Sequence, residues 1–251
     1  MNWRHRSFVV GCFVMANAFA AMARADTMSV KLGVQQWKSD VSGYFGEASD
    51  ATISPDFAET SQHKFLLALE HPLPLVPNLA LSHSENEASG MVRLAQTYRL
   101  GEQLYSVASV LNARADYSTT DLTFYYEMLD SSLIGVDLGV QVRYLSADFH
   151  VDESQNSLSS SADASDWQPM AYAKLHSALP LVGLRSYVQL AKGDDNHEYE
   201  MAVGYQFVDS ILADMSVFIG YKDSKTVLDK VDGIYAEQRW ESVFVGLELA
   251  F

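Results

Sequence analysis

The residues best suited by type and spacing to catalysis lie at 194–197, where Asp194 and Asp195 precede His197. A carboxylate beside an imidazole could activate a water molecule for hydrolysis. However, polar neighbours are common in short loops, and the sequence contains no Gly-x-Ser-x-Gly or other nucleophile motif. We therefore expect no enzymatic activity, and hydrolysis at this segment is kept as an alternative.

Acidic residues are concentrated in segments that the pattern predicts to be loops, namely Asp148, Asp152, Glu153, Asp163, Asp166, Asp194, Asp195, Asp223, Asp229 and Asp232. Such carboxylates could hold divalent cations that bridge to anionic lipid headgroups, because hard cations prefer oxygen ligands. The Asp-x-Asp-x-Asp-Gly spacing of a calcium loop is missing. We expect solvated loops that keep the chain soluble in transit, with no bound metal and no cofactor.

The elements that must position these residues are β-strands. Apolar residues alternate with polar ones in segments of about ten residues, the length that a tilted membrane-spanning strand requires. In one of them Val136, Leu138 and Val140 alternate with Asp137 and Gln141. The apolar stripes repeatedly end in aromatic residues, which is typical of the girdles at a membrane interface: Trp37, Tyr144, Trp167, Tyr221, Trp240 and Phe251.

Long polar connections alternate with short turns along the chain. The sequence predicts the long ones at 39–62, at 84–115, at 146–166 (Ser/Asp-rich and mobile), at 194–197 and at 223–239. Short turns on one side and long loops on the other are the rule for outer-membrane barrels. We predict an all-β fold, a transmembrane antiparallel up-and-down β-barrel of about ten strands. Residues 84–115 alternate only weakly and are interpreted as a long hairpin above the membrane, which leaves eight or twelve strands as alternatives.

The final strand has an apolar face made of Val243, Val245, Leu247, Leu249 and Phe251. An apolar strand at the open edge of a sheet would invite aggregation, and closure of the barrel against the first strand removes that edge. We expect these five side chains to face lipid and to act as an assembly signal. Glu248, on the opposite face, is expected to point toward cations such as Lys31.

The first 25 residues have the features of a secretory signal, with Arg4 and Arg6 before an apolar run. We predict cleavage between Ala25 and Asp26, with a cut near Ala20 or Ala21 as the alternative, and a single barrel domain over 26–251. Cleavage would remove three arginines and no acidic residue, leaving 14 basic and 32 acidic residues and a charge of −18. Such a charge argues against nucleic acid as a partner.

The inward positions of the predicted strands carry ten charges: Lys31, Lys64, Glu70, Glu127, Asp137, Arg143, Arg185, Glu200, Lys222 and Glu248. Five cations face five anions there, and side chains can fill a barrel of eight to ten strands. Since buried charges must be paired or hydrated, we predict a lumen largely filled by paired charges. A narrow channel for ions or small solutes is the alternative, and a general porin is disfavoured because it needs about sixteen strands.

Several stretches resemble a family of Gram-negative outer-membrane β-barrel proteins whose function is not established: Gly33-Val-Gln-Gln-Trp37 with Ser42-Gly43, Glu70-His-Pro-Leu-Pro-Leu-Val-Pro-Asn78, Leu122-Thr-Phe-Tyr-Tyr-Glu-Met-Leu-Asp130, Val136-Asp-Leu-Gly139 and Gly246-Leu-Glu-Leu-Ala-Phe251. The opening strand departs from the commoner family pattern, because Gln35-Gln36 replaces smaller residues. The resemblance implies an outer-membrane location and a barrel, but no active site. It also implies contact with outer-membrane lipid and lipopolysaccharide, and delivery by periplasmic chaperones to the barrel-assembly machinery.

The chain also resembles, in size, ten-stranded surface proteases of the omptin type. These proteases use acidic residues and a histidine at the outer rim of the barrel. Asp194, Asp195 and His197 are the candidates for such a site here. The expected role is nevertheless structural or that of a narrow channel.

Overall fold

The computed structural model describes residues 28–73, 75–131, 133–153, 157–210 and 212–251. The predicted signal segment and its cleavage site, Ala25 and Asp26, lie outside the described residues. The strands are β1 (Ser29–Gly46), β2 (Asp56–Phe57), β3 (Thr60–Glu70), β4 (Asn78–Arg93), β5 (Tyr98–Leu100), β6 (Gln103–Tyr105), β7 (Val110–Asp130), β8 (Ile134–Glu153), β9 (Leu158–Leu179), β10 (Leu184–Lys192), β11 (His197–Val208), β12 (Asp214–Val231) and β13 (Ile234–Ala250). No helix in the described part of the chain is long and apolar enough to cross a bilayer.

Ten long antiparallel strands form a closed ring within the described ranges. Their order is β4-β3-β1-β13-β12-β11-β10-β9-β8-β7, and β7 pairs back onto β4. The first and last strands pair from Lys31 opposite Ala250 to Gly46 opposite Tyr235, so the terminal strand has no open edge. The predicted barrel of about ten strands is therefore confirmed, and the alternatives of eight and twelve are wrong.

The two ends of the barrel differ. The turn end carries Ser29, Phe251 and the connections β3–β4, β7–β8, β9–β10 and β11–β12; the loop end carries the other connections. At the turn end, a 3-10 helix over Pro180–Val182 joins β9 to β10. It is followed by Gly183 in the left-handed conformation (φ 66°), whose carbonyl accepts a hydrogen bond from the amide of Gln206 (2.7 Å).

Three predicted loops are wrong, because the strands continue through them. β8 and β9 pair without interruption from Ile134 opposite Ser177 to Glu153 opposite Leu158, across the segment expected to be a mobile loop. Likewise, β1 extends into 39–62, and β12 and β13 occupy most of 223–239. The polar residues that suggested loops alternate with inward apolar residues, so they are the water-exposed face of strands that rise beyond the membrane.

The ambiguous segment 84–115 is a long hairpin, as predicted. β4 and β7 pair from Asn78 opposite Tyr125 to Arg93 opposite Val110. Its tip forms the small hairpin β5–β6, which bends inward so that Tyr98, Leu100 and Tyr105 are fully buried. The tip therefore closes the loop end of the barrel from within.

The outer wall is apolar over the central part of the strands, with exposed side chains such as Val140, Ile219 and Val243. Tyr144 and Trp167 lie on this wall with ring centroids 4.9 Å apart, as a girdle requires. Trp37 and Trp240 do not belong to the girdle, contrary to the sequence prediction: they are only 2% and 5% exposed and point inward. Each shares a strand face with a buried serine, Ser39 or Ser242, so the alternation itself places them inside.

Candidate functional site

The middle of the barrel holds six buried charged side chains, which we call the central charge cluster: Lys64, Asp121, Arg143, Glu198, Glu200 and Lys222. Five strands supply them, because alternate residues of each strand point inward. Three cations and three anions make the cluster neutral. Their arrangement is a network rather than a set of isolated pairs.

Glu198 is the hub of this network. Its carboxylate lies 3.2 Å from Lys64 Nζ and 3.1 Å from Lys222 Nζ, and it also accepts a hydrogen bond from Arg143 Nη2. The Arg143 guanidinium makes a two-point contact with Asp121, at 2.6 and 2.8 Å. This planar pairing fixes the orientation of both groups.

Glu200 and Trp37 complete the surroundings of the cluster. Glu200 lies 3.4 Å from Lys64 Nζ and accepts hydrogen bonds from the Gln35 amide (2.9 Å) and from the Tyr187 hydroxyl. Lys222 Nζ lies 3.8 Å from the centroid of the Trp37 ring, a favourable cation–π contact. Every charge in this dry region therefore has at least one partner, as burial requires.

A loop-end plug fills the lumen above the cluster. We use this term for the β5–β6 hairpin and the buried apolar side chains that pack with it, which include Phe45, Leu100, Tyr117, Leu145, Phe149, Val151 and Trp240. The Phe45 and Phe149 rings stack at 4.7 Å, and the Tyr117 ring meets the edge of Phe149 at 5.8 Å. The Tyr105 hydroxyl donates to the Val151 carbonyl (3.2 Å). Burial raises the pKa of Tyr117, so its hydroxyl stays neutral inside the plug.

Below the cluster, the turn end of the lumen is polar and more open. Lys31 pairs with Glu70 at 2.7 Å, and Glu70 also accepts a hydrogen bond from Tyr125 (2.9 Å). Arg185 pairs with Glu248 at 2.9 Å. Glu248 points inward, as expected, but its partner is Arg185 across the lumen and not Lys31 on the adjacent strand.

The remaining predicted lumen charges occupy this lower region. Asp137 is buried, whereas Glu127 is exposed at the rim of the turn end, cross-strand from Asp137. Glu127 belongs to none of the ion pairs found among the described residues. It lies at the mouth of the lumen rather than in a network.

Sequence reasoning missed four charged residues of the interior: Asp121, Glu153, Glu198 and Lys174. Glu153 was expected in a solvated loop, but it is buried at the end of β8. Asp121 and Glu198 lie next to predicted strands, two positions from inward residues on the same face. If the alternation of inward and outward residues had been continued by two residues beyond the predicted strand ends, both would have been identified as inward. Lys174 lies on β9, whose inward face the sequence pattern left unassigned, and the structure places it cross-strand from Asp137.

The predicted rim candidates do not converge on a catalytic arrangement. His197 begins β11 opposite Lys192 and Lys225, and no hydrogen bond joins its ring to Asp194 or Asp195 among the described residues. Partial burial lowers the pKa of His197, which makes its imidazole a weaker base. Within the same ranges, no group of three or more His, Cys, Asp or Glu side chains is arranged to hold a metal ion.

The predicted assembly strand lies in the wall of the barrel. Val243, Val245 and Leu247 are exposed on its outer face, while Leu249 and Phe251 are partly covered. The backbone of Phe251 exchanges two hydrogen bonds with Val30, at 2.9 and 3.2 Å. The last residue is therefore part of the seam that closes the ring.

No protein-family model matches the chain. No curated protein matches it either. Among solved structures, the outer membrane protease OmpT from Escherichia coli is similar with a TM-score of 0.51 and 10% identity, over 91% of this chain and 98% of that chain. The translocator domain of the autotransporter NalP from Neisseria meningitidis aligns with a TM-score of 0.42 and 12% identity, over 96% and 97% of the two chains. The transport unit of the autotransporter AIDA-I from Escherichia coli aligns with a TM-score of 0.43 and 6% identity, over 90% of each chain.

These likenesses bear on the fold. At 10% identity, the similarity to OmpT shows a common barrel architecture and transfers no active site. The resemblance to outer-membrane β-barrels, drawn above from sequence motifs, is thereby confirmed at the level of the fold.

Proposed function

We propose that this protein is an integral β-barrel of the Gram-negative outer membrane with a sealed lumen and a structural, non-enzymatic role. In this arrangement the turn end faces the periplasm and the loop end rises outside the cell. The apolar outer wall and the Tyr144–Trp167 pair support the membrane placement. The short connections at one end and the protruding hairpins at the other support the orientation.

The main observation that supports a sealed lumen is that two barriers, the loop-end plug and the central charge cluster, lie one above the other inside the barrel. The loop-end plug is packed from fully buried aromatic and aliphatic side chains, including Phe45, Tyr105 and Phe149. Directly beneath it, the central charge cluster holds Arg143, Glu198 and Lys222 in mutual contact. A hydrated ion would have to displace the apolar packing and then break paired buried charges, each worth several kcal/mol.

The outer surface of the loop end fits contact with lipopolysaccharide and water rather than with lipid tails. Some of its outward charges form ion pairs, as in Lys38–Glu59 (2.5 Å), Arg114–Glu87 (3.0 Å) and Arg239–Asp223 (2.8 Å). Acidic residues such as Asp148, Asp163 and Asp229 outnumber the basic ones there, so this surface is polar and carries a net negative charge. We propose outer-membrane lipid and lipopolysaccharide as its immediate surroundings, and assembly through periplasmic chaperones and the barrel-assembly machinery.

Planar-bilayer recording tests the sealed lumen. The wild-type protein should give no stable single-channel steps in concentrated KCl. A matched variant in which a glycine-serine linker replaces residues 95–108, and in which Lys64 and Arg143 are truncated to alanine, loses the hairpin of the plug and two cations of the cluster, and it should conduct. A difference in gel migration between the unboiled and the boiled sample shows that each protein is folded. Steady steps from folded wild-type protein would overturn the proposal and favour the narrow channel.

A further inference from the structure

A cavity of about 80 Å³ lies in the lumen between the central charge cluster and the turn end. It exists because one wall is built from small inward residues, Gly33, Ala68, Ala80 and Gly246. A second space of about 120 Å³ adjoins it toward the mouth and shares lining residues such as Lys31 and Glu248. The two spaces therefore adjoin, and the second lies toward the turn end.

The opposite wall of the cavity is aromatic. Tyr125 and Tyr172 have ring centroids 6.0 Å apart, and Tyr187 and Phe218 have centroids 5.6 Å apart. All four rings line the cavity. Aromatic faces attract cations through the negative charge of their π-systems, most strongly where water is excluded.

A carboxylate oxygen without a hydrogen-bond partner lies in the lining of this space. Asp137 is only 3% exposed and lines the cavity, and its Oδ1 atom has no hydrogen-bond partner among the described residues. A buried carboxylate without a partner is strongly unfavourable, by several kcal/mol. This geometry leaves a place for a donor that the chain itself does not supply.

Two of the other cations near the cavity are engaged in ion pairs. Lys31 is paired with Glu70, and Arg185 with Glu248. Lys174, the cross-strand neighbour of Asp137, has its Nζ atom 5.1 Å from the Tyr187 ring centroid and forms no ion pair within the described ranges. Each of the other carboxylates that line the cavity belongs to an ion pair, and Asp137 is the lining carboxylate without one in the described ranges.

We propose that this cavity binds a small organic cation, a primary ammonium on a short aliphatic chain. The ammonium group donates a hydrogen bond to Asp137 Oδ1, and the aliphatic chain lies against the Tyr125 and Tyr172 rings. An anion does not fit the site, because it would meet the carboxylate of Asp137, which has no ion-pair partner in the described ranges. The ligand therefore belongs to the class of short aliphatic amines.

Isothermal titration of the full chain, purified from membranes in detergent micelles, tests this site with n-butylammonium chloride. We expect saturable binding, with neutral n-butanol and sodium acetate giving none. Asp137→Asn should weaken binding about tenfold or more, because a hydrogen bond to a charged group is replaced by one to a neutral amide. Glu127→Gln is the matched control, since it removes a carboxylate at the same end that does not line the cavity, and it should leave binding unchanged.

Two further variants keep the test decisive if Asp137→Asn fails to fold. Ala68→Leu fills the cavity without changing its charge and should abolish binding. Lys174→Met removes the nearest competing cation and should tighten binding. The proposal is overturned if the wild type does not bind n-butylammonium, which would indicate that water occupies the space. It is also overturned if binding survives both Asp137→Asn and Ala68→Leu, or if n-butanol binds equally well.

Discussion

Substitution of Glu198 by glutamine probes the central charge cluster at its hub. Glutamine keeps the shape of the side chain but removes the charge that contacts Lys64 (3.2 Å), Lys222 (3.1 Å) and Arg143. Arg143 retains Asp121, and Lys64 retains Glu200 at 3.4 Å. Lys222 then has no carboxylate within 4 Å among the described residues, while the Trp37 ring remains 3.8 Å from its Nζ atom. One buried cation therefore loses its carboxylate.

The expected loss follows from that uncompensated charge. Removal of one partner from a buried ion pair destabilises a protein by about 3–5 kcal/mol. The matched control is Glu241→Gln, because Glu241 pairs with Arg239 at 3.0 Å on the exposed outer face. An exposed pair contributes at most about 1 kcal/mol. The free energy of unfolding, measured by urea titration of tryptophan fluorescence in detergent micelles, should therefore fall several times more for Glu198→Gln.

A second substitution separates the effect of the uncompensated charge on stability from the effect of altered side-chain packing. Lys222→Met in the Glu198→Gln background removes the cation left without a carboxylate and keeps a side chain of similar length against Trp37. We expect the double variant to regain at least half of the lost stability, which a double-mutant cycle would report as a coupling energy. The reasoning is refuted if Glu198→Gln is no more destabilising than Glu241→Gln, or if Lys222→Met adds a further loss.

Three other outcomes are expected. Deletion of Phe251 should lower the amount of folded protein in the outer membrane, measured by heat-dependent gel migration; normal levels would contradict the predicted assembly signal. Leu100→Ala in the loop-end plug should reduce the free energy of unfolding by about 2–5 kcal/mol, whereas Leu104→Ala at an exposed site should change it by less than about 0.5 kcal/mol. The wild type should not cleave peptides; cleavage that is lost on His197→Ala would show the non-enzymatic proposal to be wrong.

The sequence predicted the architecture because the features that set it are local. Alternation with period two marks each strand, and the proline turn and the apolar last strand mark the topology. The inward positions of Lys31, Arg143 and Lys222 follow from the same alternation, since successive side chains of a strand point to opposite faces. Where the sequence pattern distinguished the inward from the outward positions of a strand, the direction of its side chains could be derived.

The partners inside the lumen could not be predicted in the same way. Glu248 was expected to meet Lys31 on the adjacent strand β1, but it reaches Arg185 on β10, three strands away around the ring. Contacts across a lumen depend on the diameter of the barrel, the tilt of its strands and the space that neighbouring side chains leave. None of these quantities is encoded by spacing along one strand.

The lengths of several strands were underestimated because the polarity of the barrel wall inverts along the longer strands, such as β8 and β13. In β8, Leu138, Val140 and Tyr144 face outward into the apolar layer. Beyond Tyr144 the apolar residues move to the odd positions, Leu145, Ala147, Phe149 and Val151, and these are fully buried in the loop-end plug.

The shift by one residue marks the point at which the surroundings of the wall change from lipid to water. Below it, the interior is polar and the exterior apolar; above it, the interior is apolar and the exterior carries residues such as Asp148 and His150. β13 shows the same change, with Val243 outside, and Ile234 and Ala236 inside. The hydrogen-bonded backbone ladder is continuous through both regions. A sequence pattern in which the apolar residues always face outward, however, ends at the membrane interface, so it predicts strands that are too short. The chain therefore builds a membrane barrel and, on the same strands, a water-exposed barrel with its own hydrophobic core.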